Sequence, residues 1–186
     1  LHFSEVAKCI DAVKSSKASE ATKLALEFLI LTASRSGEIR NACWDEFSLD
    51  ISPSSPFPVW SVPAARMKAK RLHIVPLSNK AIELLGKAKA LSDGSGLLFP
   101  GTSQGKALSD MTLSKLVKEL GFDADVHGFR TSFKTWTQEK TGFANEVSEM
   151  ALAHTIKNKA EAAYARSDLI EKRKEMMEQW AEYLAR

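Results

Sequence analysis

Tyr164 follows His154 by ten residues in the segment ALAHTIKNKAEAAYAR, and two further blocks precede them: TASRSGE, with Arg35 and Glu38, and HGFR, with His127 and Arg130. Tyrosine is a poor metal ligand and an uncommon nucleophile. Set downstream of two arginines and two histidines, its phenolate has one chemistry that would use them all. It would attack a phosphodiester while the cationic groups hold the phosphate. Each residue also has a plainer role open to it: Arg35 as a cap on helix carbonyls, His127 and Arg130 as a structural and a surface residue, Tyr164 as a buried aromatic with a bonded hydroxyl. The case rests on the set, not on any one member.

Spacing says what the chain must do to assemble that set. Glu38, one helical turn beyond Arg35, can steady its guanidinium. His127 and Arg130, at i and i+3, share a face if a helix begins there, and the free N–H groups of a first turn favour an anion. His154 and Tyr164 would lie about 15 Å apart along a straight helix. They can share a site only if the chain breaks between them, and Thr155–Lys159 is the place for it. Basic residues cluster beside these blocks, Arg66, Lys68, Lys70 and Arg71 before HGFR and Lys157 and Lys159 beside His154. Such clusters are usually solvated faces; next to candidate phosphate chemistry they point to a phosphate partner.

Other chemistries fit less well. A zinc site from His73, His127 and His154 has no HxxxH or CxxC spacing and no acidic residue at a matching offset, so no metal is expected. There is no GxxxxGK[ST] and no GxGxxG, so no nucleotide cofactor is expected either. Cys9 and Cys43 form no CxxC pair and read as reduced core residues in apolar helical contexts, which fits a cytosolic protein. No apolar run approaches the roughly 18 to 20 residues that cross a bilayer, and no signal segment opens the chain. The net charge of +3 adds little.

The 186 residues fit one domain with a real core. Ser19 can cap a helix carrying Leu24, Ala25, Phe28 and Leu31 and ending near Ser34, with a short helix restarting at Ser36. Prolines 53, 56, 58 and 63 then separate apolar pieces that predict three short antiparallel strands, Phe47–Ile51, Val59–Val62 and His73–Val75. Ser78 opens a helix through Leu85. Ser109 caps another that Gly121 ends, one starts near His127 and stops by Gly142, and Asn145 caps one running to about His154. Ser167 or Asp168 starts a last amphipathic helix with Leu169, Met176, Trp180 and Leu184 on one side. The fold class is mainly α (α+β), with a small three-stranded antiparallel sheet inserted.

Together these blocks resemble the catalytic domain of tyrosine recombinases of the phage-integrase type, over nearly the whole chain. The family's first arginine matches Arg35 in LTASRSGEIR, its HxxR block matches His127–Arg130, its second histidine block matches Leu152-Ala153-His154, and its nucleophile matches Tyr164. The family lysine on a hairpin before a Val-Pro-Leu strand matches Lys68 in MKAKRLHIVPLS, with Lys70 the second choice. Two small residues depart from the pattern: Ala33 and Ala153 stand where many members have glycine.

The resemblance implies a DNA breaking-rejoining fold and a catalytic domain spanning residues 1–186, without the core-binding and arm-binding domains of longer relatives. It implies cleavage and rejoining of double-stranded attachment sites through a 3′-phosphotyrosyl link, without metal or ATP. Arg35, Lys68, His127, Arg130, His154 and Tyr164 would be the catalytic set. It implies a homo-tetramer on paired DNA sites, with the isolated domain monomeric. Accessory DNA-bending and excision factors would assist, in a bacterial cytoplasm with no membrane involved. Relaxation of DNA by a type-IB topoisomerase and a non-catalytic DNA-binding module are the alternatives.

Overall fold

The structure, a computed structural model, describes residues 1–51, 56–154 and 169–186. Its centre is helix α2 (Glu20–Thr32), which follows α1 (Val6–Ser15). Ser19 caps α2, its Oγ accepting from the Thr22 N–H at 3.3 Å. Leu24, Ala25, Leu26, Phe28, Leu29, Ile30 and Leu31 are all buried, so α2 is covered on every side rather than along one stripe. It packs against α1, against α3 (Ser36–Arg40), α4 (Asn79–Ala88) and α5 (Thr112–Glu119), and against the last helix, α8 (Ile170–Leu184). Between them in sequence lie α6 (Gly128–Lys140) and α7 (Asn145–Ala151).

The expected sheet is present, with strands β1 (Phe47–Ser48), β2 (Val59–Val62) and β3 (His73–Pro76) antiparallel in that order. Trp60 pairs with Phe47 on one side and Val75 on the other. Trp60 and Val62 point inward while Val59 and Ser61 are half-buried, the alternation of a one-sided sheet. Phe28, Phe47, Trp60 and Phe99 form an aromatic cluster that ties the sheet to α2. A second cluster, Phe133, Trp136, Trp180 and Tyr183, ties α6 to α8, and Trp180 Nε1 donates to the Ile30 carbonyl of α2 at 2.9 Å.

Several boundaries differ from expectation, each for a local reason. β1 stops at Ser48, and Leu49 and Ile51 are exposed, because only Phe47 and Ser48 find partners on β2. Ser109 does not cap α5; its carbonyl accepts from Thr112 N and its hydroxyl bonds Thr112 Oγ1, so the chain makes a further turn before the helix. Gly121, at φ 83°, does end that segment. Asn145 is the first residue of α7 rather than its cap, and its Oδ1 is taken by Lys134. α7 ends at Ala151, and a turn carries the chain on to His154. The expected start of α8 at Ser167 or Asp168 lies outside the described residues. Cys9 is in the core, where burial pushes its thiol up to about 11. Cys43 is not helical: it is extended, half-buried and bridged to Leu97.

Candidate active site

Arg35 stands at the N-terminal end of α3 with extended backbone (φ −82°, ψ 149°). The buried Glu38 divides its carboxylate between two tasks. Oε2 accepts the Arg35 backbone N–H at 2.9 Å, and Oε1 accepts from Arg35 Nη1 at 2.8 Å. One acid therefore caps the helix and aims the guanidinium of a side chain that stays 26% exposed.

Arg130, one turn into α6, is only 4% exposed. Its Nη1 donates to the Ala33 carbonyl at 2.5 Å and its Nη2 to the Leu152 carbonyl at 2.6 Å. These carbonyls belong to the residues that close α2 and α7. Helix C-termini expose carbonyls that lack intrahelical donors and carry partial negative charge. A planar fork with two donor edges can serve two of them at once. At both ends the chain turns through a left-handed alanine, Ala33 at φ 48° and Ala153 at φ 50°. These are the two positions where the resemblance sets many members' glycine against alanine here, and each holds that alanine where the backbone favours residues without a Cβ. Burial, and after it the charge of Arg35, lowers Arg130 to about 10, with Glu38 opposing. It remains a cation at neutral pH.

His154 completes the convergence. Its Nε2 lies 3.3 Å from Arg130 Nη2, and its Nδ1 lies 3.0 Å from Glu149 Oε2. Thus Arg35, Arg130 and His154, drawn from α3, α6 and the turn after α7, meet in one place. His127 occupies the N-cap position of α6, exposed, and its carbonyl accepts the Arg130 N–H at 3.1 Å. It shares the helix end with Arg130, but among the described residues its ring bonds to none of the others. Lys68 is exposed on the hairpin between β2 and β3, also without a bond to them. Tyr164, Lys157 and Lys159 lie outside the described residues.

The basic hairpin divides into two kinds of residue. Lys68, Lys70 and Arg71 are exposed. Arg66 is not a free surface cation: it is paired with Glu46, which also accepts from Trp60 Nε1 at 2.8 Å, and its Nη1 donates to the Glu38 carbonyl at 2.8 Å. Arg66 fastens the base of the hairpin to α3. Glu46 also lies within 4.8 Å, ligand atom to ligand atom, of Cys43 and Asp45, but its commitment to Arg66 and Trp60 leaves that group poorly suited to a metal.

Two features escaped the sequence reading. His73, weighed only as a zinc ligand, sits half-buried on β3. Burial, then the charge of Arg173, with lesser contributions from Arg130 and Arg35, lowers it to about 3, against an opposing hydrogen bond with the Ala151 backbone. It is a neutral group set among three arginines. Its period-two relation to Val75 was the available signal that it faces inward. The second is the pair Lys134 and Glu149, joined at 2.6 Å beside His154. Glu149 is held below the usual carboxylate range: its burial works upward, and the hydrogen bonds from Lys134 and His154 outweigh it. Lys134 lies at i+4 from Arg130, so both point from one face of α6.

Chemically, this is a concentration of fixed cationic donors with one aiming acid, suited to an oxyanion with several exposed oxygens. Residues 1–169 match the Phage integrase family. The integrase of Enterobacteria phage P4 is 35% identical over 181 residues, an alignment covering 88% of this chain and 40% of that protein. The chain therefore spans less than half the length of that relative. Among solved structures, the XerH site-specific recombinase bound to its difH substrate before cleavage superposes with a TM-score of 0.66 at 18% identity, covering 89% of this chain and 52% of that one. A lambda integrase tetramer bound to a Holliday junction superposes with a TM-score of 0.59 at 20% identity, covering 86% and 47%. At such identities the structures speak for the fold, and the fold is that of these recombinases. With the family match running along nearly all of its length, the chain belongs to the phage integrase family.

Proposed function

We propose that this chain is the catalytic domain of a site-specific recombinase that exchanges DNA strands through Tyr164. The observation that carries the reading is the meeting of Arg35, Arg130 and His154 around a surplus of positive charge. Tyr164 attacks the scissile phosphate and displaces the 5′-oxygen, leaving a 3′-phosphotyrosyl bond. The 5′-hydroxyl of a partner strand then attacks that bond and releases the tyrosine. One phosphodiester replaces another, so the exchange needs no ATP. Charge builds on the non-bridging oxygens in each half, where Arg35 and Arg130 hold it. A phenol with a pKa near 10 needs a proton acceptor at neutral pH, a role for His127. Lys68 protonates the leaving 5′-oxygen, and its exposed place on a hairpin suits a group that must reach the DNA.

The partners are double-stranded attachment sites and, in synapsis, three further copies of the protein. Accessory bending and excision factors and a bacterial cytoplasmic location belong to the same reading. No described helix is long and apolar enough to cross a membrane.

The test uses nicked, end-labelled duplexes taken from the DNA flanking the gene. The protein should form a covalent band that survives denaturant. Tyr164→Phe should abolish it while changing stability by no more than about 1 kcal/mol, the scale of one hydrogen bond. A band retained by the Phe variant would end the assignment. Tyr183 is a weak substitute, since it is stacked on Trp180. Absence of the band with every duplex would favour a DNA-binding module. Relaxation of supercoiled DNA without strand exchange between two duplexes would favour a topoisomerase.

A further inference from the structure

Glu149 uses both its oxygens. Oε1 pairs with Lys134 Nζ at 2.6 Å, and Oε2 meets His154 Nδ1 at 3.0 Å. Lys134, its side chain only 18% exposed, also donates to Asn145 Oδ1 at 2.5 Å and Ser148 Oγ at 2.6 Å. All three ammonium protons are thereby placed, and the carboxylate is held by a cation that is itself held.

Proton positions on the imidazole follow. An ionised carboxylate only accepts, so Nδ1 must carry the hydrogen. In the neutral ring Nε2 then holds a lone pair, and the group it meets, Arg130 Nη2 at 3.3 Å, only donates. The other tautomer would set a lone pair against the carboxylate and an N–H against a guanidinium N–H. We infer that Glu149 is a positioning residue for His154. It fixes the tautomer, with the hydrogen on Nδ1, and the orientation of the ring, so that Nε2 accepts from Arg130 Nη2, the guanidinium proposed to hold the phosphate. Lys134 acts one step further back, keeping Glu149 ionised and turned toward the ring. A carboxylate behind an imidazole has these two effects wherever the pair occurs. A pair that only joined α6 to α7 would need one oxygen of Glu149; the second oxygen is spent on the histidine.

The consequence for cleavage rests on the recombinase reading, whereas the tautomer does not, and two experiments keep them apart. Long-range 1H–15N NMR of the wild-type chain should show His154 with its hydrogen on Nδ1. An Nε2–H ring there overturns the inference without any variant. For cleavage, Glu149→Gln should slow covalent-complex formation about 10- to 100-fold. DNA affinity on a Tyr164→Phe background should stay within about threefold, a smaller effect than loss of a cation that touches phosphate. On a His154→Ala background the same substitution should cost no more than about twofold further, since its effect passes through the ring. An unchanged rate, or an undiminished loss without His154, overturns the inference. If the wild type captures no DNA at all, the recombinase reading fails and the NMR result stands by itself.

Discussion

Arg130 and Lys68 would serve the same phosphate in the proposed reaction, and their surroundings could hardly differ more. Arg130 is buried, its two outer nitrogens fixed on the closing carbonyls of α2 and α7. Lys68 is exposed on the β2–β3 hairpin. The first environment spends binding energy in advance, so that the donor does not reorganise when charge develops. The second leaves a cation whose geometry, on the proposed reading, a bound DNA would complete. Anion stabilisation benefits from rigidity, whereas proton delivery needs reach.

The contrast breaks most visibly at the two residues themselves. Arg130→Ala should slow covalent capture by about 10²- to 10³-fold and also destabilise the fold by about 2 to 4 kcal/mol, because two helix ends lose a charged donor. Lys68→Ala should slow capture by about 10²-fold or more yet shift stability within about 0.5 kcal/mol. Denaturant melts run beside the capture assay check both. Equal stability losses would erase the distinction.

His73 lies between the two regions, on the strand that leaves the hairpin and beside the arginines. Its folded value of about 3 sits below the ordinary imidazole value of about 6.5. The unfolded chain therefore binds the extra proton first as pH falls. The stability that His73 contributes is complete above about pH 6.5 and lost progressively as pH falls toward 3, with a slope of at most about 1.4 kcal/mol per pH unit. Unfolding free energies of wild type and His73→Gln across that range should converge at low pH. Parallel curves would contradict the placement.

Arg66 sharpens the comparison from within the basic cluster. Arg66→Ala should cost about 1 to 3 kcal/mol by leaving Glu46 without its cation, while the salt dependence of DNA binding stays as it was. Arg71→Ala should do the reverse, leaving stability unchanged and lowering the salt slope by about one. Salt titrations of DNA binding decide it. The smallest effect belongs to the helix ends themselves. Ala33→Gly and Ala153→Gly should each stabilise by about 0.5 to 1 kcal/mol, since glycine adopts positive φ without the Cβ penalty. A loss of stability at both would show that the methyl groups matter more than the backbone.

Much of this was legible in the sequence because it is local. Ser19 and Ser78 announce their helices, the apolar pieces Val59–Val62 and His73–Val75 set off by prolines announce the sheet, and Arg35 with Glu38 is a single helical turn. What was missed depends on contacts between distant segments. Nothing around Arg66 distinguishes it from Lys68, because its partner Glu46 lies 20 positions away. Alanine is an ordinary helix former, so at Ala33 and Ala153 only the glycine that many members of the resembled family carry hints at a left-handed turn. Ser109 and Asn145 look like caps by type, yet each spends its side chain on another group. Tyr164, the most informative residue of the sequence, lies outside the described residues.

The two carbonyls that Arg130 grips are 97 and 22 positions from it along the chain. The longer of these loops must close before the guanidinium finds both its partners, and a loop of that length closes at an entropic cost that local helices do not bear. The proposed phosphate-binding centre is therefore expected to be a late product of folding. A full-length chain trapped with only its local helices formed carries every residue of the centre and none of its geometry. For a protein whose proposed work is cutting the genome that encodes it, competence would arrive only together with the finished fold.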